Sequence, residues 1–198
     1  MFQTRGLPVD INVQYTWSEA KANEEHDWAR LGVAVTDAPA EEYLMSYDRT
    51  HDLSLTFASR LPYGINMSFT SMYQTGAPYT PVELAAPGSN IIQESEYKNS
   101  SRMPDYKITN LSLSKYIQLD SYKISLGLSI YNLFDERNAI DIYRMTGSAT
   151  DPGDYYIDEY VGLPSEGPNK TYSDSYYDTP WYQSSAREIN AFIRFDFN

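Results

Sequence analysis

From Tyr122 the chain reads YKISLGLSIYNLFDERN, in which Tyr122, Ile124, Leu126, Leu128 and Ile130 alternate with Lys123, Ser125, Gly127, Ser129 and Tyr131. A period of two puts the first set on one side of a β-strand and the second on the other. The period returns in five more stretches. Val9, Ile11, Val13, Tyr15 and Trp17 are interleaved with Asp10, Asn12, Gln14 and Thr16. Leu53, Leu55 and Phe57 oppose Asp52, Ser54, Thr56 and Ala58. Ile65, Met67, Phe69 and Tyr73 oppose Asn66, Ser68, Thr70, Met72 and Gln74, with Ser71 a weak position on the apolar row. Thr109, Leu111, Leu113 and Ile117 oppose Asn110, Ser112, Ser114 and Tyr116; Lys115 sits on the apolar row near the strand's end, where a long side chain can snorkel. In the last stretch Ile189, Ala191, Ile193, Phe195 and Phe197 oppose Glu188, Asn190, Arg194 and Asp196, with Phe192 as the exception. The pattern predicts strands over about 9–18, 48–59, 65–75, 106–117, 122–132 and 186–197.

The connections alternate in length. Residues 19–46, 82–103 and 147–183 read as long polar loops, with room for a short helix in the first. Arg60-Leu61-Pro62-Tyr63-Gly64 and Gln118 to Ser121 read as tight turns, Pro presetting φ and Gly accepting positive φ in the former. The two prolines of Gly76-Ala77-Pro78-Tyr79-Thr80-Pro81 break the ladder, and Ile140, Ile142, Tyr143 and Met145 read as a short extension before Gly147. Short turns at one end and long loops at the other are the asymmetry of outer-membrane barrels. Nine residues at roughly 3.3 Å and a tilt near 40° give a height of about 23 Å, close to the roughly 25 Å apolar band of such barrels. A soluble sandwich has no reason to match that height or to keep its long loops on one end.

Composition sharpens this picture. The 198 residues include 19 Tyr and 15% aromatics, yet mean hydropathy is −0.54, so apolar residues are concentrated in rows and not spread through a thick core. No run approaches the roughly 18 apolar residues of a membrane-spanning helix. The opening MFQTRGLPVD lacks the apolar stretch of a secretory signal, so an exported form would not begin naturally at Met1. A net charge of −12 argues against nucleic acid as a partner, because a phosphate backbone calls for clustered Lys and Arg. Without Cys there is no disulfide or thiolate–metal framework.

Six motifs, taken in order, resemble the C-terminal β-barrel region of TonB-dependent outer-membrane receptors. They are Tyr47-Asp48-Arg49-Thr50-His51 entering a strand, Leu61-Pro62-Tyr63-Gly64 at a turn, and Thr75-Gly76-Ala77-Pro78-Tyr79-Thr80 leaving a strand. Then come Arg102-Met103-Pro104-Asp105-Tyr106, Tyr131-Asn132-Leu133-Phe134-Asp135, and Arg187 opening a terminal strand that ends in alternating aromatics. The resemblance covers about Val9 to Phe197. It implies an all-β, antiparallel up-and-down transmembrane barrel of 22 strands, of which residues 1–198 supply the last six, with the plug domain absent. It also implies an outer-membrane location and lipid around the wall. The partners it implies are the rest of the barrel and the plug, the TonB complex acting through the missing plug, and an extracellular nutrient such as a siderophore, cobalamin, glycan or peptide.

Candidate chemistry is sparse. His51, Asp52 and Ser54 have the residue types of a hydrolytic triad, but adjacent strand residues point to opposite faces, so no catalytic role is expected. His26 and His51 have no partner at metal-ligand spacing, and Asp151, Asp154, Asp158 and Glu159 lack the spacing of a calcium loop; no metal and no cofactor is expected. Tyr155, Tyr156, Tyr160, Tyr172, Tyr176, Tyr177 and Trp181 make the third loop the candidate for ligand contact, with packing of those rings on one another or on the rim as the alternative. Tyr15, Trp17, Phe57, Phe69, Tyr73, Tyr122, Leu126, Leu128, Phe195 and Phe197 are expected to face the membrane. The expected function is non-enzymatic: a segment of a receptor for active uptake of a scarce nutrient. A small outer-membrane barrel or adhesin, and a secreted carbohydrate-binding β-sandwich, are the rival readings.

Overall fold

The computed structural model describes residues 8–23, 42–86, 91–153 and 180–197. Six strands make one antiparallel sheet whose spatial order is the chain order: β1 (Val9–Trp17), β2 (His51–Leu61), β3 (Ile65–Gln74), β4 (Tyr106–Gln118), β5 (Tyr122–Tyr131) and β6 (Glu188–Phe197). The protein is all-β, an up-and-down meander. Its sheet is open, with β1 and β6 as edges.

The register carries the alternation of each strand across the whole sheet. Ile11, Phe57, Phe69, Leu111, Ile130 and Ile189 lie side by side in one row, and Val9, Ser59, Met67, Leu113, Leu128 and Ala191 in the next. On the other face the corresponding row is Asp10, Ala58, Ser68, Ser112, Ser129 and Asn190. A slip of one residue in any strand would turn its apolar set to the polar side, so the pattern itself fixes the pairing.

Two exceptions to the alternation have local causes. Ser71, on the apolar face, lies opposite Thr109, and their hydroxyls are 3.0 Å apart, so each satisfies the other. Phe192, on the polar face, lies opposite Gly127, and a Cβ on that glycine would come within 2.1 Å of the ring. The ring therefore covers the space that the missing side chain leaves, the cross-strand rescue of a strand glycine by an aromatic. Gly127→Val is expected to eject the ring and destabilise the sheet by about 1–3 kcal/mol. A shift in the urea midpoint measures it; recovery in the Gly127→Val, Phe192→Ala double variant is expected, and an unchanged midpoint in the single variant would contradict it.

No second layer covers the sheet among the described residues. The buried hydrophobic residues are Met45, Ile142 and Ala149, all outside the six strands. Val13 of β1 and Ile193 of β6 are 62% and 66% exposed. A sandwich would bury one face of such a sheet against another. Two shallow depressions, of about 450 and 250 Å³, run across several strands on the polar face.

The strands are also staggered. The row through Leu111 lies six residues from the loop-facing end of β1, at Trp17, but one residue from that of β6, at Glu188. Five residues of shift across five pairings, at about 3.3 Å per residue and 4.8 Å per strand, correspond to a tilt of about 35°. That is the tilt a barrel wall requires, roughly 35–45°.

Element boundaries shift in places. The second strand begins at His51 and not at 48, because Asp48 is drawn into a polar network described below; it continues to Leu61, where Arg60 and Leu61 still pair with Asn66 and Ile65. The turn is thus Pro62–Gly64, with Tyr63 (φ 63°) and Gly64 (φ 73°) both left-handed. The last strand starts at Glu188 and not at 186. Residues 82–103 are not wholly irregular: Val82–Leu84 pairs with Ile92–Glu94, and Ser101–Arg102 pairs with Pro78–Tyr79. A further ribbon joins Lys21–Ala22 to Tyr43–Leu44. In place of a strand extension over 140–145 there are two single bridges, Ala139 with Gln183 and Tyr143 with Ser148.

Candidate functional site

The motifs that lie far apart in the sequence meet at the loop-facing end of the sheet. Asp48 is 2% exposed. Its Oδ1 accepts from the Ala20 N–H at 2.8 Å, and its Oδ2 from the Arg102 guanidinium at 2.8 Å and the Thr50 hydroxyl at 2.9 Å. Arg102 also donates to the carbonyl of Gly76 at 2.9 Å. One ion pair thus ties the first loop to the second. Burial, the largest influence, pushes the Asp48 carboxyl up; the Ala20 N–H, Arg102 and Thr50 together outweigh it and hold the group below the ordinary 3.8.

A second clamp lies beside the first. Asp105 accepts from the Tyr73 hydroxyl at 2.8 Å and from the Gly76 N–H at 3.1 Å. The Tyr73 hydrogen bond is the main reason its carboxyl lies below 3.8. Gly76 itself is required: a Cβ there would fall 1.7 Å from the Met103 carbonyl oxygen. Further out, Glu94 is held below 4.5, chiefly by its 2.9 Å hydrogen bond from Arg144, whose Nε also donates to the Thr80 carbonyl at 2.9 Å.

Three buried asparagines complete the joints. Asn132 (φ 55°, 1% exposed) donates to the carbonyls of Glu136 and Ser185 and accepts from the Glu136 N–H. Its turn is locked to the last connection, where the Arg187 N–H donates to Asp135 Oδ1 at 2.7 Å. Asn138 brackets the backbone of Lys107, accepting from its N–H at 2.7 Å and donating to its carbonyl at 2.6 Å. Asn99 (φ 50°) donates to the Leu44 carbonyl at 2.6 Å. Left-handed φ at non-glycine residues favours Asn, and its short amide bridges chains that an apolar residue could not. Asn132 was legible as part of its motif; Asn99 and Asn138 gave no periodic signal.

These carboxylates make the loop end acid-sensitive. A group with a lowered folded pKa contributes stability that is complete above its unfolded value and is lost as pH falls through the folded one. Below about pH 4 the clamps are therefore expected to loosen while the sheet ladder stays paired. Hydrogen exchange at the Ala20 and Gly76 amides, which donate to Asp48 and Asp105, checks this: protection at pH 6 and its loss at pH 3 are expected, and equal protection would contradict it.

On the apolar face, which no described residue outside the sheet covers, stand Tyr15, Trp17, Phe57, Phe69, Tyr73, Tyr122, Leu126, Leu128, Phe195 and Phe197. Trp17, Tyr15 and Tyr73 sit at its loop end, and Tyr122 and Phe197 at the other. Phe57 and Phe69 face each other between them. Two lysines on the same face of β4, Lys107 and Lys115, bracket the apolar band. Eight residues apart at about 3.3 Å and tilted by about 35°, they span a height of about 22 Å. On this face His51 lies opposite Trp17 and is 2.8 Å from the Tyr15 hydroxyl, whereas Asp52 turns to the polar face and accepts from Gln74 at 2.7 Å. The triad types do not converge.

The polar face is lined by hydroxyls and amides. The two depressions share Ser68 and Ser112. Of the loop residues singled out for ligand contact, Trp181 is 69% exposed on a short turn, Pro180–Tyr182. Tyr155, Tyr156, Tyr160, Tyr172, Tyr176 and Tyr177 lie outside the described residues.

No family model matches the chain, and neither do any curated protein or solved structure.

Proposed function

We propose that the chain is a segment of outer-membrane barrel wall, the C-terminal part of a TonB-dependent receptor for active uptake of a scarce nutrient. The observation that carries this reading is the alignment of the apolar rows across all six strands on a face that nothing covers among the described residues. In water such a face is a liability, and in lipid it is what a wall requires. The stagger, the aromatic residues at both ends of the band and the bracketing lysines agree with a tilted wall about as tall as the apolar part of an outer membrane.

The two open edges of the sheet support a segment of a longer wall. Each unpaired N–H or C=O in hydrocarbon costs several kcal/mol, so the edges pair with further strands, up to the 22 that the resemblance implies. The polar face then looks toward the lumen and the plug. The clamped loop end faces the outside, where the nutrient arrives, and the TonB complex acts through the plug. Sequencing the source DNA upstream of Met1 tests the assignment. A plug domain followed by further alternating strands is expected; a signal peptide with only two more strands would favour the small barrel or adhesin and overturn uptake.

A further inference from the structure

Two surfaces that such a wall would offer to a solute have the same chemistry. The first is the track on the polar face. The 250 Å³ depression is bordered by the polar side chains of Ser68, Thr70, Asn110, Ser112, Ser129 and Tyr131, none of them charged. Through Ser68 and Ser112 it continues into the 450 Å³ depression, where Asp10 and Arg60, of opposite sign, appear only toward the short-turn end. The 250 Å³ depression offers donors and acceptors but no charge to match an anion or a cation, and in the larger one the two charges are of opposite sign.

The second surface is Trp181. Its turn is fixed: the Tyr182 carbonyl accepts from the N–H groups of Ile140 (2.7 Å) and Asp141 (3.3 Å), and the Gln183 N–H donates to the Pro180 carbonyl at 3.2 Å. The neighbouring Tyr182 is used for packing, its ring 5.1 Å from that of Tyr143. Trp181 is instead left 69% exposed. A rigidly held, exposed indole is a stacking surface that costs little entropy to use. Asp141, next to the same contact, has one carboxylate oxygen on the Ile142 N–H at 2.8 Å.

Resting on the receptor reading, we propose that the solute is a neutral, hydroxyl-rich one, a saccharide, which stacks on Trp181 at the loop end and then follows the hydroxyl and amide track of the polar face. A sugar ring has an apolar C–H face for the indole and hydroxyls that both give and take hydrogen bonds along the track. An anionic chelate meets a chain of net charge −12 and a 250 Å³ depression without cations. A greasy solute would leave the track's hydroxyls and amides unpaired.

The test uses the full chain in lipid nanodiscs with three probes: a panel of neutral hexasaccharides from plant and microbial polymers, a random hexapeptide mixture, and a ferric tricatecholate. Saturable binding of at least one hexasaccharide is expected, weakened at least tenfold by Trp181→Ala and by Ser112→Leu, with Trp181→Phe retaining most of it. Binding of the peptides or the ferric complex alone, binding of no saccharide, or saccharide binding indifferent to Trp181→Ala would overturn the proposal. Saccharide binding that needs Trp181 in a sample whose apolar rows do not contact lipid would keep the ligand assignment and sink the receptor reading.

Discussion

Replacing Arg102 with Met is expected to destabilise the loop end by about 3–5 kcal/mol, the usual cost of breaking a buried ion pair from one side. The guanidinium is only partly exposed, whereas the Asp48 side chain is wholly buried. Removing Arg102 leaves that carboxylate with the Ala20 N–H and the Thr50 hydroxyl but without its hydrogen-bonded countercharge. It also frees the Gly76 carbonyl. Adding Asp48→Asn removes the stranded charge, so the double variant should recover part of the loss, and a double-mutant cycle on urea midpoints isolates the coupling. A loss below about 1 kcal/mol for Arg102→Met would mean that the pair behaves as an ordinary surface ion pair.

The second large effect belongs to the apolar face of the sheet. Leu128→Arg is expected to cost about 2–4 kcal/mol in lipid, because Leu128 lies beside Leu113 within the apolar band; Leu126→Arg, opposite Lys115 at the edge of the band, should cost less. The same change at Tyr122, at the end of the strand, should cost about 0–1 kcal/mol, since an interfacial Arg reaches the headgroups. Ser129→Arg, on the polar face, should fall within about 0.5 kcal/mol of the parent. Refolding into phospholipid vesicles against urea measures all four. Equal costs on both faces of β5 would remove the reason for placing lipid on one of them.

The sheet was legible in the sequence because each strand states its two faces independently. Val9 to Trp17 and Tyr122 to Tyr131 could be assigned from alternation alone, and the pairing of Phe57 with Phe69 or of Leu113 with Leu128 follows once short turns force neighbours together. What periodicity cannot show is a contact that depends on a gap. Phe192 reads as an error in its strand until Gly127 is placed across from it. Ser71 reads as a weak position until Thr109 is beside it.

The loop end was legible only as motifs. Asp48 was assigned to a strand because nothing local distinguishes a carboxylate that starts a ladder from one that Arg102, 54 residues away, draws into a buried pair. The two-stranded ribbons Pro78–Tyr79 with Ser101–Arg102 and Val82–Leu84 with Ile92–Glu94 are too short to carry a period. Their positions follow from Gly76, Asn99 and Arg144, which act through space and not through spacing.

The orientation of the two faces is open to direct measurement, since the chain has no Cys and single spin labels can be placed at will. In vesicles the edges can pair between copies, because β1 runs toward the loop end and β6 away from it. Labels placed one at a time along Tyr122–Tyr131 would be read for collision with oxygen, which concentrates in acyl chains, and with a water-soluble nickel chelate. A period of two is predicted, with Ile124, Leu126 and Leu128 oxygen-exposed and Ser125, Gly127 and Ser129 chelate-exposed. Equal access of the chelate to both rows, or oxygen contact on the Ser125 row, would contradict a lipid-facing apolar side.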